Sequence, residues 1–222
     1  MRPGERGLGV LVRWPEPGRV LPRLTARLGC EAAAQVYEAF IGDLVASMPL
    51  GAFESRLYCL DHEEAFRAAY PGVTVRPQQG RFEGRRYHAV FEDMLATYPL
   101  AVVVGSSVPD LHPRLLQSAF EMLERRDVVV GPAEHGGFYL LGMREPRDVF
   151  KDIPWGTGGE LDALLRNLQK AHLDYGFFPA RRKVETIEEL TALRRRLLRP
   201  MAPLTHATLQ MLGVGDDARH VG

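Results

Sequence analysis

The sequence predicts an α/β protein, a single domain whose mainly parallel, mixed sheet is flanked by helices. Three observations lead there. Short apolar runs such as "GLGVLVRW", "LAVVVG" and "DVVVGP" are unbroken by polar residues, as strands buried on both faces require. Segments of helical periodicity separate most of these runs, which is the spacing of βαβ units. A length of 222 residues, 45% apolar and 25% charged, suits one such domain better than two.

In chain order, Gly7 to Trp14 is the first strand, and "PEPGRVLPRLTARLG" after it is rich enough in Pro, Gly and Arg to read as a loop. "CEAAAQVYEAFIGDLVASM" is helical, with Ala33, Val36, Tyr37, Phe40, Leu44 and Val45 in one apolar stripe. "ESRLYCL" is a strand. Asp61 and Glu64 have capping-box spacing for a short helix through Tyr70, stopped by Pro71-Gly72. "VTVR" is the third strand, followed by a helix over roughly Glu83 to Tyr98 and the strand "LAVVVG". Pro113 starts the next helix, with Asp110 as its cap. "DVVVGP" and "GGFYLLGM" are too close for a helical crossover, so one pair is antiparallel or lies at an edge. Glu160 to Ala171 is helical, "LDYGFF" is a late strand, and Thr186 with Glu189 caps a helix through Leu198. The domain therefore spans residues 1–199, and the weakly patterned residues 200–222 read as a tail that frays.

Composition narrows the function. With 28 basic and 28 acidic side chains, the chain has no bulk field for nucleic acid, although a local basic cluster can bind a phosphorylated small molecule. Cys30 and Cys59 lack metal-ligand spacing and read as buried thiols. No apolar run approaches the roughly 20 residues that span a bilayer. "MRPGERG" lacks the apolar core of a signal peptide, so a cytoplasmic protein with no membrane partner is expected. Oligomeric state is not legible.

Five stretches could carry chemistry. In "RWPEPGRVLPRL", Arg13, Arg19 and Arg23 offer guanidinium forks for phosphate, and Gly18 lets backbone approach a ligand. In "GSSVPDL", Ser106 and Ser107 sit at a strand end, where open α/β sheets gather ligands. In "GPAEHGGFYLLG", His135 beside Glu134 suits proton transfer, and Gly136-Gly137 lets a strand start against a ligand. In "IPWGTGGE", Trp155 either packs in a lid or stacks on a base or sugar ring. In "ARRKVETIEEL", Arg182 and Lys183 are candidate phosphate ligands and Glu185 a candidate base, while Arg86 follows the third strand and could face the same phosphate. Each also has a plain reading as solvated loop or turn.

In this order and spacing, the five stretches resemble a bacterial family of GT-A-like glycosyltransferases, described as nucleotide-diphospho-sugar transferases and in some members linked to arsenosugar biosynthesis. The resemblance runs from about Gly9 to Leu193. "WPEPGRVLPRL" is similar to an opening loop K-x-P-x-P-G-x-V-K-T-R-L, and "VVVGSSVPDL" to G-S-D-x-P-D-L. "GPAEHGGFYLLG" is similar to G-P-x-x-D-G-G-Y-Y-L-x-G, "IPWGTGG" to a tryptophan loop, and "RKVETIEEL" to R-D-V-D-T-x-x-D-L. It implies a GT-A, Rossmann-like single domain, a nucleotide-sugar donor, an acceptor of unknown identity, and a divalent cation held by carboxylates on the diphosphate. Ser107, His135 and Lys183 stand where the pattern has aspartate, while Glu185 keeps an acid. These three changes make the site about four charge units more positive at neutral pH, so the family's metal is not expected here.

Two functions follow. One is a transferase, independent of metal, that uses Arg23, Arg86, Arg182 and Lys183 on the diphosphate, Ser106, Ser107 and Trp155 around the donor, and Glu185 or His135 for acceptor activation. The other is a catalytically inactive homologue that keeps the fold as a binding or interaction protein. Nucleotidyl transfer on the same fold has less support, because no glycine-rich phosphate signature follows strand one.

Overall fold

A computed structural model describes residues 3–48, 52–197 and 201–215. Seven strands form one mixed sheet in the order β3-β2-β1-β4-β6-β5-β7. They are β1 (Arg6–Val12), β2 (Glu54–Cys59), β3 (Thr74–Pro77), β4 (Leu100–Gly105), β5 (Val128–Pro132), β6 (Phe138–Met143) and β7 (Tyr175–Phe177). β6 alone runs antiparallel, wedged between β4 and β5; all other pairings are parallel. The close pair expected from sequence is thus antiparallel and sits inside the sheet rather than at its edge.

Period-two alternation divides the strand side chains between two cores. On β4, Leu100, Val102 and Val104 enter the core under α1 (Pro22–Leu28), α2 (Cys30–Ser47), α5 (Pro113–Leu123) and α7 (Ile187–Arg196). Ala101 and Val103 enter the opposite core, under α4 (Glu83–Leu95) and α6 (Glu160–Lys170). Each fully buried valine or leucine contributes about 1.5–3 kcal/mol by leaving water. On β1 the alternation is Leu8 and Val10 toward α2, with Gly7 and Gly9 toward α4. A Cβ on Gly7 would lie 2.3 Å from the Tyr98 ring, so the missing side chain is what lets the end of α4 and its following turn press onto β1.

Several local expectations change. The loop after β1 contains α1, begun by Pro22 at its first turn after Leu21 in a left-handed conformation (φ 45°). The helix α3 (Glu63–Ala69) has no capping box, because Asp61 instead accepts the Trp14 N–H at 2.8 Å. The α5 cap is His112, whose Nδ1 accepts from the Arg114 N–H at 3.1 Å, and Asp110 is turned into the protein. Cys59 is buried as expected, but Cys30 is exposed at the start of α2. The α7 capping box forms as the spacing predicts, and Leu198 lies outside the described residues.

Within the segment read as a fraying tail, α8 (Pro203–Met211) packs on α2. Buried Asp43 of α2 accepts the Leu204 and Thr205 N–H groups at 2.9 and 2.7 Å, capping α8 from another helix. Ala202 and Leu209 are fully buried, so 201–215 is part of the domain's packing. Among the described residues, no helix is long and apolar enough to cross a membrane.

Candidate active site

After β1 the chain builds β2 and β3 on one side of it, then crosses to β4 on the other. The carboxyl ends of β1 and β4 therefore diverge into loops that leave in opposite directions, and the crevice between them is where open α/β sheets bind ligands. Tyr37 of α2 closes the floor of this crevice. Its hydroxyl meets Ser106 Oγ at 2.7 Å and accepts the Arg13 N–H at 3.2 Å, locking the two strand ends together. Burial raises the pKa of that phenol, so it stays a neutral hydroxyl.

Above this floor lies an open cavity of about 650 Å³, with a smaller inner chamber of about 250 Å³ toward β1 and β4. Arg13, Ser107, Lys183 and Glu185 line both chambers; Arg23, His135, Gly137 and Trp155 line the outer one; Ser106 and Arg86 line the inner one. Gly18, Gly136 and Arg182 do not reach the walls as side-chain or lining contacts. Gly18 is exposed with φ 78°, and Arg182 pairs with Glu134 at 2.7 Å. Gly136 (φ 94°) faces the tryptophan loop, where a Cβ would lie 1.9 Å from Gly158 O. The first glycine of the pair thus serves loop-to-loop packing, reinforced by Leu161 N–H on Gly136 O at 2.9 Å.

The closing segment is stitched across the strand tips. Arg181 bridges to Ala133, its N–H donates to Pro132 O at 3.0 Å, and Val184 N–H donates to Ser107 O at 2.8 Å. Between these anchors Lys183 extends into the crevice and lines both chambers. Its Nζ passes 3.2 Å from where a Gly137 Cβ would stand, so the second glycine leaves room for the lysine. Buried Asp110 holds the segment from behind, accepting Arg181 Nη1 at 3.5 Å and Arg196 Nε at 3.2 Å.

Trp155 packs on Tyr87, with ring centroids 5.5 Å apart and planes 7° apart, and meets Phe138 edge-on. One aromatic face is thereby covered by protein. The loop behind it is tied by Glu160, whose carboxylate accepts the Gly156 and Thr157 N–H groups.

Four carboxylates line the cleft. Glu160 is held by its loop, and Glu189 accepts the Glu185 and Thr186 N–H groups while lying 3.4 Å from exposed His135. Glu185 lies 3.7 Å from Arg23 Nη1. Glu83, which local sequence reasoning passes over as an ordinary acid opening a helix, lines both chambers. It stays open to the cleft, yet the surrounding walls raise its pKa by desolvation, with Arg86 and Lys183 pulling the other way. Among the described residues, no three His, Cys, Asp or Glu side chains gather as a metal ion would need.

Residues 55–157 match the family described as "Uncharacterized protein conserved in bacteria (DUF2064)". A solved structure from Desulfovibrio desulfuricans G20, provisionally named a nucleotide-diphospho-sugar transferase, is 28% identical, with a TM-score of 0.87 and 95% of each chain covered. A cytidylyltransferase from Leptospira borgpetersenii is 10% identical, with a TM-score of 0.56 over 98% of this chain and 99% of that one. The 4-diphosphocytidyl-2C-methyl-D-erythritol synthase of Anaerococcus prevotii is 8% identical, with a TM-score of 0.54 over 93% and 99%. The last two likenesses concern the fold alone. No curated protein matches the sequence significantly. The fold is Rossmann-like, shared with transferases that handle nucleotides.

Proposed function

We propose that the protein is a nucleotide-sugar transferase whose donor diphosphate is held by Arg13, Arg23 and Lys183, with no divalent cation. One observation carries the reading: Lys183 is extended over the crevice between β1 and β4, in a cavity whose carboxylates do not converge. An ammonium and two guanidinium groups there can offset the charge that a leaving nucleoside diphosphate develops, the role a metal plays elsewhere. The Desulfovibrio likeness over 95% of both chains supports the donor class. Inner-chamber walls of Leu11, Val12, Tyr87 and Phe138 offer apolar surface for the rest of the donor.

Calorimetry with uridine, guanosine and thymidine diphosphate sugars tests this. At least one should bind equally with manganese or with chelator, and Lys183→Ala should weaken it about tenfold, as expected for one charge-assisted contact. Heat with none of them, under either condition, overturns the reading. Binding that requires manganese overturns the metal-free part alone.

A further inference from the structure

We propose that Glu83 is the catalytic base that takes the proton from the attacking hydroxyl. The inference rests on the transferase reading above and names a residue that none of the five sequence stretches contains. Three observations place it. Glu83 is the first residue of α4 and lines both chambers, so it stands where a donor in the inner chamber would meet an acceptor in the outer one. Two neighbouring carboxylates are committed elsewhere: Glu160 to two backbone N–H groups and Glu189 to its helix cap. Glu185, the acid favoured by sequence, shares its charge with Arg23. Among the described residues, Glu83 accepts no hydrogen bond and has no ion-pair partner within 4 Å. Its oxygens are free to receive a proton.

The step balances without a further reagent. The acceptor oxygen bonds to the anomeric carbon as the bond from that carbon to the diphosphate oxygen breaks. The electron pair leaves with the nucleoside diphosphate, beside Lys183 and Arg13. The acceptor's proton passes to a Glu83 oxygen. With water as acceptor the products are free sugar and nucleoside diphosphate.

Charged groups face Glu83 from every side of the cleft: Arg86 on its own helix, Lys183 on the closing segment, Glu160 on α6 and Arg13 after β1, with Tyr87 and Glu185 on the same walls. Desolvation raises the carboxyl's pKa and Glu160 adds to it, against the three cations. A base must be ionised to act, so the rate should fall as pH drops through a value above the usual glutamate range.

The test follows nucleoside diphosphate release from whichever of the three nucleotide-sugar classes binds, with water as acceptor and across pH. Glu83→Gln should cut kcat about 100-fold or more while leaving donor Kd within about threefold, and Glu83→Asp should keep measurable release. A residue that merely balanced the cations would change Kd and leave kcat. The proposal is overturned if Glu83→Gln releases product at the wild-type rate, if the acid limb lies at or below the usual glutamate range, or if wild type binds a donor and releases nothing. Absence of donor binding by wild type sinks the functional reading instead, so the two failures are distinguishable.

Discussion

Asp110 shows how much a single side chain can do at a distance. Its Oδ2 takes two guanidinium donors, one from the closing segment and one from α7, and its Oδ1 is buried without a partner. Truncation to Ala would leave half-buried Arg181 and the more exposed Arg196 without this counter-charge. Breaking a fully buried pair costs about 3–5 kcal/mol. Here both arginines keep some water, so Asp110→Ala should lower stability by about 2 kcal/mol, read as a shift in the urea midpoint. It should also weaken nucleotide-sugar binding, since Arg181 anchors the strand-like segment that carries Lys183. Unchanged stability would mean that the hydrogen bonds across the cleft floor suffice. Nothing in "GSSVPDL" announces this role. Three residues before a proline-started helix, an aspartate reads as a cap, and its true partners lie 71 and 86 positions away. Glu83 is hidden for the same reason: an acid in a helix's first turn is ordinary, and only the sheet order brings Lys183 and Glu160 to face it.

Elements were legible where one short stretch holds the whole cause. β1, β4 and β5 show as continuous apolar runs because both faces are covered, and the α7 cap shows as Thr186 and Glu189 because both halves of the box are three residues apart. α1 and α8 were not, because each is stabilised from outside its own sequence. α8 is nine residues long, too short to hold itself in water, and its first N–H groups are satisfied by Asp43, more than 160 residues earlier. Asp43→Ala removes both hydrogen bonds from a site that is 3% exposed. A capping loss of about 1 kcal/mol, plus the penalty of a second unsatisfied buried donor, should destabilise the protein by about 2–3 kcal/mol. Hydrogen exchange should show the 203–211 amides opening before those of β1 and β4. If those amides stay protected, the packing of Leu209 and Ala202 alone holds the helix.

At the scale of the molecule, the five motif stretches are far apart in sequence yet all five supply residues to one cavity. Their convergence follows from topology: β1 and β4 are neighbours with opposite exits, and β6 turns the later loops back over the same edge. The chain's acids and bases balance overall, so no long-range field draws an anion in. Any electrostatic preference for diphosphate must be local to the cleft, where Arg13, Arg23 and Lys183 meet. Local attraction in an open cavity is screened over about 8–10 Å at ordinary ionic strength, comparable with the spacing of charges in such a site. Nucleoside diphosphate binding should therefore weaken about tenfold between about 50 and 500 mM sodium chloride, and the salt dependence should become shallower in Lys183→Ala. Equal affinity at both salt concentrations would place the phosphates away from these three side chains, because contacts to backbone N–H groups and apolar walls do not compete with dissolved ions in this way. A steep dependence that survives Lys183→Ala would shift the weight to Arg13 and Arg23, which sit on the opposite wall and come from the loop after β1.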